Sequence, residues 1–180
     1  MEKVYLLTDN PGKIAAANVT FNKFGIEAVP LKLDIPEIQA SSSKEIATHA
    51  AKEAFAKINK AVIREDHSFF IDELGIPGPY MSYIDKKISV NQLIKILSTL
   101  SKKTGHFELA ATYIDQSGKI HEFSYQVPIE FADTPRGDTN QRWERIIRFE
   151  NDDRVFAEYS EKERASVWSQ NYEKIAKLML

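Results

Sequence analysis

The chain has 180 residues, of which 43% are hydrophobic and 28% charged, a balance suited to one well-cored globular domain. Its formal net charge of −2 leaves no surplus of Lys and Arg, so no nucleic-acid partner is expected. With no cysteine there is no disulfide, thiolate metal site or thiol nucleophile, and any metal must be held by oxygen or imidazole, a composition that fits a reducing cytoplasm.

Val4–Leu7 is an apolar run that ends in Thr8-Asp9-Asn10-Pro11-Gly12 and reads as a buried strand. The apolar run stops at Thr8, so neither a signal-peptide core nor a membrane span is expected there. Asn10 is placed to cap a helix whose first residue is Pro11, where a missing N–H costs nothing. Ile14, Ala17, Phe21 and Phe24 recur at helical spacing, and Gly25 supplies the stop.

A second strand is predicted over 26–33. Ser42 and Glu45 form a capping-box pattern for a helix to about Asn59, with Ile46, Ala50, Ala54 and Ile58 inward. Ala61–Arg64 reads as a short strand with Glu65-Asp66 at its end, followed by a Gly/Pro turn at 75–79 and a helix over 90–101. Residues 107–114 and 119–127 flank Asp115-Gln116-Ser117-Gly118, a hairpin signal, and Ser160–Glu163 opens a C-terminal helix. The expected fold is α/β: a mixed twisted sheet with flanking helices, one domain over 1–180 with two lobes around a central cleft, the second lobe covering about 81–135.

Thr8-x-Asn10-x-x-Lys13 lies at the strand-to-helix junction. A helix N-terminus suits an anion, two short polar side chains add donors, and Lys13 adds a full charge one turn in. The same pattern also describes a capped helix with a solvated lysine. Glu37 and the Glu65-Asp66 pair are candidate magnesium ligands, since magnesium takes hard oxygen donors. Taken alone, adjacent acids equally describe a solvated strand end. Lys52, on the second helix, either points into a cleft or runs its stem along the surface. The four histidines lack zinc spacing, and only His67, next to Asp66, is of interest.

These pieces together resemble the inosine triphosphate pyrophosphatase (Ham1, non-canonical purine NTP pyrophosphatase) family. The matching segments run in order: Leu7–Lys13, Phe24–Glu27, Leu33–Gln39, Ala51–Ala54, Glu65-Asp66, Leu74–Tyr80 and Phe156–Ser160. The resemblance implies hydrolysis of a nucleoside triphosphate between its α and β phosphates, giving the monophosphate and pyrophosphate with Mg2+. It implies that Thr8, Asn10 and Lys13 hold the triphosphate, that Glu37 and Asp66, with Glu65 beside them, bind magnesium, and that Asp66 also activates water. Lys52 would contact phosphate. A soluble cytoplasmic homodimer is implied.

The base-reading elements depart from the family pattern. His67 stands where the family has Ser or Thr. The family's Gly-rich segment becomes Asn140–Ile147, in which Trp143 and Glu144 keep the aromatic and acid positions while Gln141 replaces the stacking phenylalanine. Arg164 takes the place of a late lysine, and Trp168-Ser169-Gln170 replaces the purine-reading Ser-His-Arg. His67, Trp143, Glu144 and Arg164 are therefore the candidate base-side residues, with Trp143 or Trp168 available to stack on a base or to fill the core. Two rival readings follow: a pyrophosphatase for a different base, and a nucleotide-binding protein that has lost or altered catalysis.

Overall fold

The computed structural model describes residues 2–180, the side chains of Thr139, Gln141 and Glu161 excepted. Its elements in chain order are β1 (Glu2–Leu7), α1 (Pro11–Phe21), β2 (Ile26–Leu31), α2 (Ser43–Ile58), β3 (Val62–Ile71), β4 (Ile76–Gly78), α3 (Met81–Ile84), α4 (Val90–Leu97), β5 (Thr104–Ile114), β6 (Ile120–Phe131), β7 (Ile147–Phe149), α5 (Glu161–Val167) and α6 (Gln170–Met179). The strands form a seven-stranded sheet in the order β2-β1-β3-β5-β6-β7, with β4 paired to β3. Pairing is parallel between β1 and both β2 and β3, and antiparallel for β3 with β4 and β6 with β7. The mixed sheet with flanking helices is the α/β architecture the sequence predicts.

The chain divides into two compact units. The first holds residues up to His67, Leu109–Tyr125 and Glu161–Leu180; the second holds Ser68–Glu108 and Gln126–Ser160. Each of β3, β5 and β6 contributes residues to both, so the second unit is built from two stretches rather than the single 81–135 segment read from sequence.

In the first unit, strand alternation sends side chains to two cores. Val4 and Leu6 of β1 pack with Ala16, Ala17 and Phe21 of α1 and Tyr172, Ile175 and Ala176 of α6. Leu7 and Val62 pack with Ala50, Ala51 and Ala54 of α2. The small alanine face of α2 lets that helix approach the strands closely.

The second unit is built on aromatic rings. Phe69 lies 4.8 Å from Phe107 and 6.3 Å from Trp143 between centroids, and Phe156 meets Phe149 at 4.4 Å. Gly105 marks a close approach within this unit: a Cβ there would stand 2.4 Å from the Phe70 carbonyl oxygen. An apolar cavity of about 430 Å³ opens beside Trp143, lined also by Ile76, Tyr80, Tyr83 and Ile96.

Three elements end differently from the sequence reading. β3 does not stop at Arg64; it continues through Glu65, Asp66 and His67 to Ile71. The helix over 90–101 ends at Leu97, where the Ser98 and Thr99 hydroxyls donate back to the Lys95 and Ile96 carbonyls. The C-terminal helix is broken at Trp168-Ser169, with Ser169 Oγ donating to the Ser166 carbonyl. Such hydroxyls compete with the helical ladder for backbone acceptors.

Candidate active site

The Thr8–Lys13 turn leaves the end of β1 and enters α1. Asn10 is extended (φ −75°, ψ 115°), and its Oδ1 accepts from the Gly12 and Lys13 amides at 2.9 and 3.3 Å. The Asn10 amide donates to Thr8 Oγ1 at 3.1 Å. The first helical amides are thus taken up by the turn itself, and what remains for an anion is the positive end of the helix, the Thr8 hydroxyl proton and the outward Asn10 Nδ2. A cavity of about 140 Å³ adjoins the turn, with Thr8, Asp9, Lys32, Glu37 and Arg64 on one part of its wall and aliphatic side chains on the rest. That is smaller than a site for a whole small-molecule ligand and suits phosphate groups.

β3 supplies the charged wall. Alternation puts Arg64 and Asp66 on one face and Glu65 and His67 on the other. Arg64 Nη1 donates to the Leu7 carbonyl at 3.2 Å, while Nη2 lies 3.1 Å from Glu37 Oε2 and 3.9 Å from Asp66 Oδ1. Lys13 Nζ donates to the Glu65 carbonyl oxygen at 2.8 Å. Burial lowers the Lys13 ammonium from its ordinary value, against the pull of Glu65 and Asp66. Asp66 has a side chain only 14% exposed. Burial pushes its carboxyl up to about 6, although Lys13 and Arg64 act in the opposite direction. A carboxylate so poised exchanges a proton near neutral pH.

On the opposite face of β3, Glu65 is enclosed while His67 stays partly exposed. Glu65 is 2% exposed. Its Oε2 accepts from the Tyr172 hydroxyl at 2.8 Å and lies 3.0 Å from His67 Nε2. Glu65 Oε1 is buried with no hydrogen-bond partner among the described residues. Burial holds the His67 imidazole below its usual range, against the pull of the Glu65 carboxylate. Its ring centroid lies 6.1 Å from that of Trp168.

The structure therefore brings together Thr8, Asn10, Lys13, Glu37 and Asp66 in the first unit. Glu65 adjoins them through its backbone, but its carboxylate faces Tyr172 and His67, away from Glu37. Lys52 stands on the exposed side of α2 and does not line the Thr8 cavity; the charge it acts on is Glu122. Trp143 belongs to the second unit's core: it is 2% exposed and its indole N–H donates to the Ile88 carbonyl at 2.8 Å. Glu144 is half-buried beside it, and Arg164 is half-buried on α5 of the first unit. The side chain of Gln141 lies outside the described residues.

Sequence reading missed Arg64, Lys32 and Tyr172. Arg64 carried a signal, standing two residues from Asp66 on what alternation makes the same strand face. Tyr172 carried no signal, because a hydroxyl's partner 107 positions away leaves no local trace.

The Ham1 family model matches residues 4–178. The chain belongs to the Ham1 family. Among similar proteins, the dITP/XTP pyrophosphatase of Ignicoccus hospitalis is 35% identical over 98% of this chain and 96% of its own length. That of Thermococcus kodakarensis is 32% identical over 90% of this chain and 88% of its own. The Ham1 protein structure from Coxiella burnetii superposes with a TM-score of 0.80 at 19% identity, covering 99% of this chain and 98% of that one. At that identity the likeness concerns the fold, and it agrees with the family assignment.

Proposed function

We propose that this Ham1-family chain hydrolyses non-canonical purine nucleoside triphosphates, such as dITP and XTP, to the monophosphate and pyrophosphate. It is a hydrolase of phosphorus anhydrides, the class to which its named relatives belong. The observation that carries the reading is Asp66, a buried carboxylate raised toward neutrality, near Lys13 and the Thr8–Lys13 turn.

The donor set fits magnesium. Glu37 and Asp66 converge closely enough for one guanidinium to touch both, at 3.1 and 3.9 Å, and both offer hard oxygen donors. No group of three His, Asp or Glu side chains placed to hold a metal occurs among the described residues, which leaves the other coordination positions to phosphate oxygens and water. When bound, the ion would draw charge from the phosphate oxygens and so ease attack at phosphorus. Lys13, with the Thr8 hydroxyl and Asn10 Nδ2, would hold the phosphate chain against the N-terminus of α1. Asp66 would orient a water toward the α phosphorus and take its proton as the new P–O bond forms. The bond to the bridging oxygen breaks, and pyrophosphate leaves with that oxygen.

On the base side we assign His67 and Trp168, whose ring centroids lie 6.1 Å apart, as the groups that meet the purine in place of the family's Ser-His-Arg. Glu144 and Arg164 are proposed as further substrate contacts by their positions in the family pattern. The enzyme is proposed to act in the cytoplasm as a homodimer. Exposed apolar side chains on the second unit, Ile76 at 59% and Tyr83 at 62%, offer a surface for a second copy.

The test is pyrophosphate release from dITP, XTP, ITP and the common NTPs, with phosphate measured separately. Release of pyrophosphate favouring the first three supports the reading; release of phosphate alone contradicts it. One observation favours a rival reading, binding without turnover: Arg64 already fills the gap between the two proposed metal carboxylates. Silence across the panel, with nucleotides still raising the melting temperature, would decide for it.

A further inference from the structure

Arg64 has no part in the mechanism above, yet it is held in the site from several sides. Its side chain is 20% exposed. One arm is tied to the Leu7 carbonyl, immediately before the phosphate turn, and the other lies between Glu37 and Asp66. The third donor, Nε, is buried without an acceptor among the described residues. Buried donors are normally satisfied, so the guanidinium is incompletely paired in the empty protein. The guanidinium also lines the cavity beside Thr8, where a phosphate would enter.

We propose that Arg64 is a resident counter-cation of the site. It holds Glu37 and Asp66 together in the empty protein and passes to the phosphates when magnesium and nucleotide enter. The charges require such an exchange. Two carboxylates brought to one point repel unless cations offset them; here Lys13 acts on Asp66 and Arg64 alone contacts both. A divalent ion at the same point repels the guanidinium, which must give up its carboxylate arm. The planar fork, released on one side and still anchored at Leu7, can then form the paired hydrogen bonds that suit a phosphate. Metal alone should therefore bind weakly, because it competes with Arg64, and metal with nucleotide should bind well, because the displaced arm gains a new partner. The exchange rests on the pyrophosphatase reading only for the identity of the phosphate ligand.

Calorimetric titration with Mn2+ alone tests it on the full chain without any turnover. Arg64→Met should bind Mn2+ about tenfold more tightly than wild type, since the competing cation is gone. Adding Glu37→Gln to that variant should abolish the gain. Affinity for the magnesium complex of α,β-methylene dITP should fall about tenfold in Arg64→Met, as a charge-assisted contact is lost. Mn2+ affinity unchanged or weaker in Arg64→Met would overturn the proposal, as would unchanged affinity for the analogue. If Arg64→Met does not melt cooperatively, Arg64→Gln, which keeps the polarity and removes the charge, is titrated with the same expectations. An inactive wild type with the Mn2+ gain intact would sink the function and leave Arg64 its role. An active wild type without the gain would sink the role of Arg64 alone.

Discussion

At the scale of single residues, function and stability pull Asp66 in opposite directions. A carboxyl raised from its ordinary value to about 6 in the folded chain binds its proton more tightly there than in the unfolded chain. Stability therefore falls as pH rises from about 4 to 6, and the whole penalty is present above that window, amounting to at most about 3 kcal/mol. Asp66→Asn removes the charge and keeps the shape. In the absence of metal it should raise the melting temperature at pH 8, with little change at pH 4, in a fluorescence melt. A melting temperature lowered at pH 8 would mean that the carboxylate stabilises the fold through Arg64. Lys13 carries the same tension with opposite charge. Lys13→Met should raise the Michaelis constant about tenfold or more, the worth of one charge-assisted contact, without lowering the melting temperature, because a buried ammonium is lost with it. These residues were legible because their chemistry is local: a turn, a strand and a carboxylate pair read directly from a few neighbouring letters. Arg64, Tyr172 and the orientation of Glu65 were not, because each depends on a partner far along the chain.

At the scale of elements, β3 decides the site. The sequence reading closes the strand at Arg64 because charged residues suit strands poorly. The folded chain keeps them in register by giving each a partner: Glu37 for Arg64, Tyr172 for Glu65, and the charges of Lys13 and Arg64 for Asp66. Tertiary contacts overrule local preference here, and strand alternation then separates Asp66 from Glu65. That separation turns the two adjacent carboxylates to opposite faces of the strand. The helix ends at Leu97 and Trp168 were misread for a simpler reason, since serine and threonine hydroxyls fit both inside and after a helix. Two element-level substitutions follow in the second unit. Trp143→Ala should cost about 3–5 kcal/mol, the usual cost of removing a buried aromatic, and should show in chemical denaturation as a shifted midpoint. A stable variant with only a raised Michaelis constant would instead make Trp143 a base platform. Gly105→Ala should cost about 1–3 kcal/mol, the range for forcing atoms into a filled space, because the new methyl meets the Phe70 backbone.

At the scale of the whole molecule, the α/β class and the order of the longer elements were legible in the sequence, since apolar periodicity and capping residues mark them, whereas the short β4, α3 and β7 were not. The division into units was not. It arises from strands of 10, 11 and 12 residues that each serve two cores, and a strand's length gives no sign of where one core ends and another begins. The second unit's apolar surface gives a further expectation: light scattering at micromolar concentration should report a dimer, and Tyr83→Glu should shift it toward monomer. A wild-type monomer at that concentration would remove this face as an interface. The central claim is narrower, that Asp66 carries the hydrolysis of a nucleotide anhydride. The most direct measurement is pyrophosphate released from dITP with Mg2+ by wild type and by Asp66→Asn, on protein shown to be folded. Release by the wild type is expected, with a loss of at least about a thousandfold in the variant, the combined cost of a proposed metal ligand and base. Release undiminished in the variant would contradict that claim.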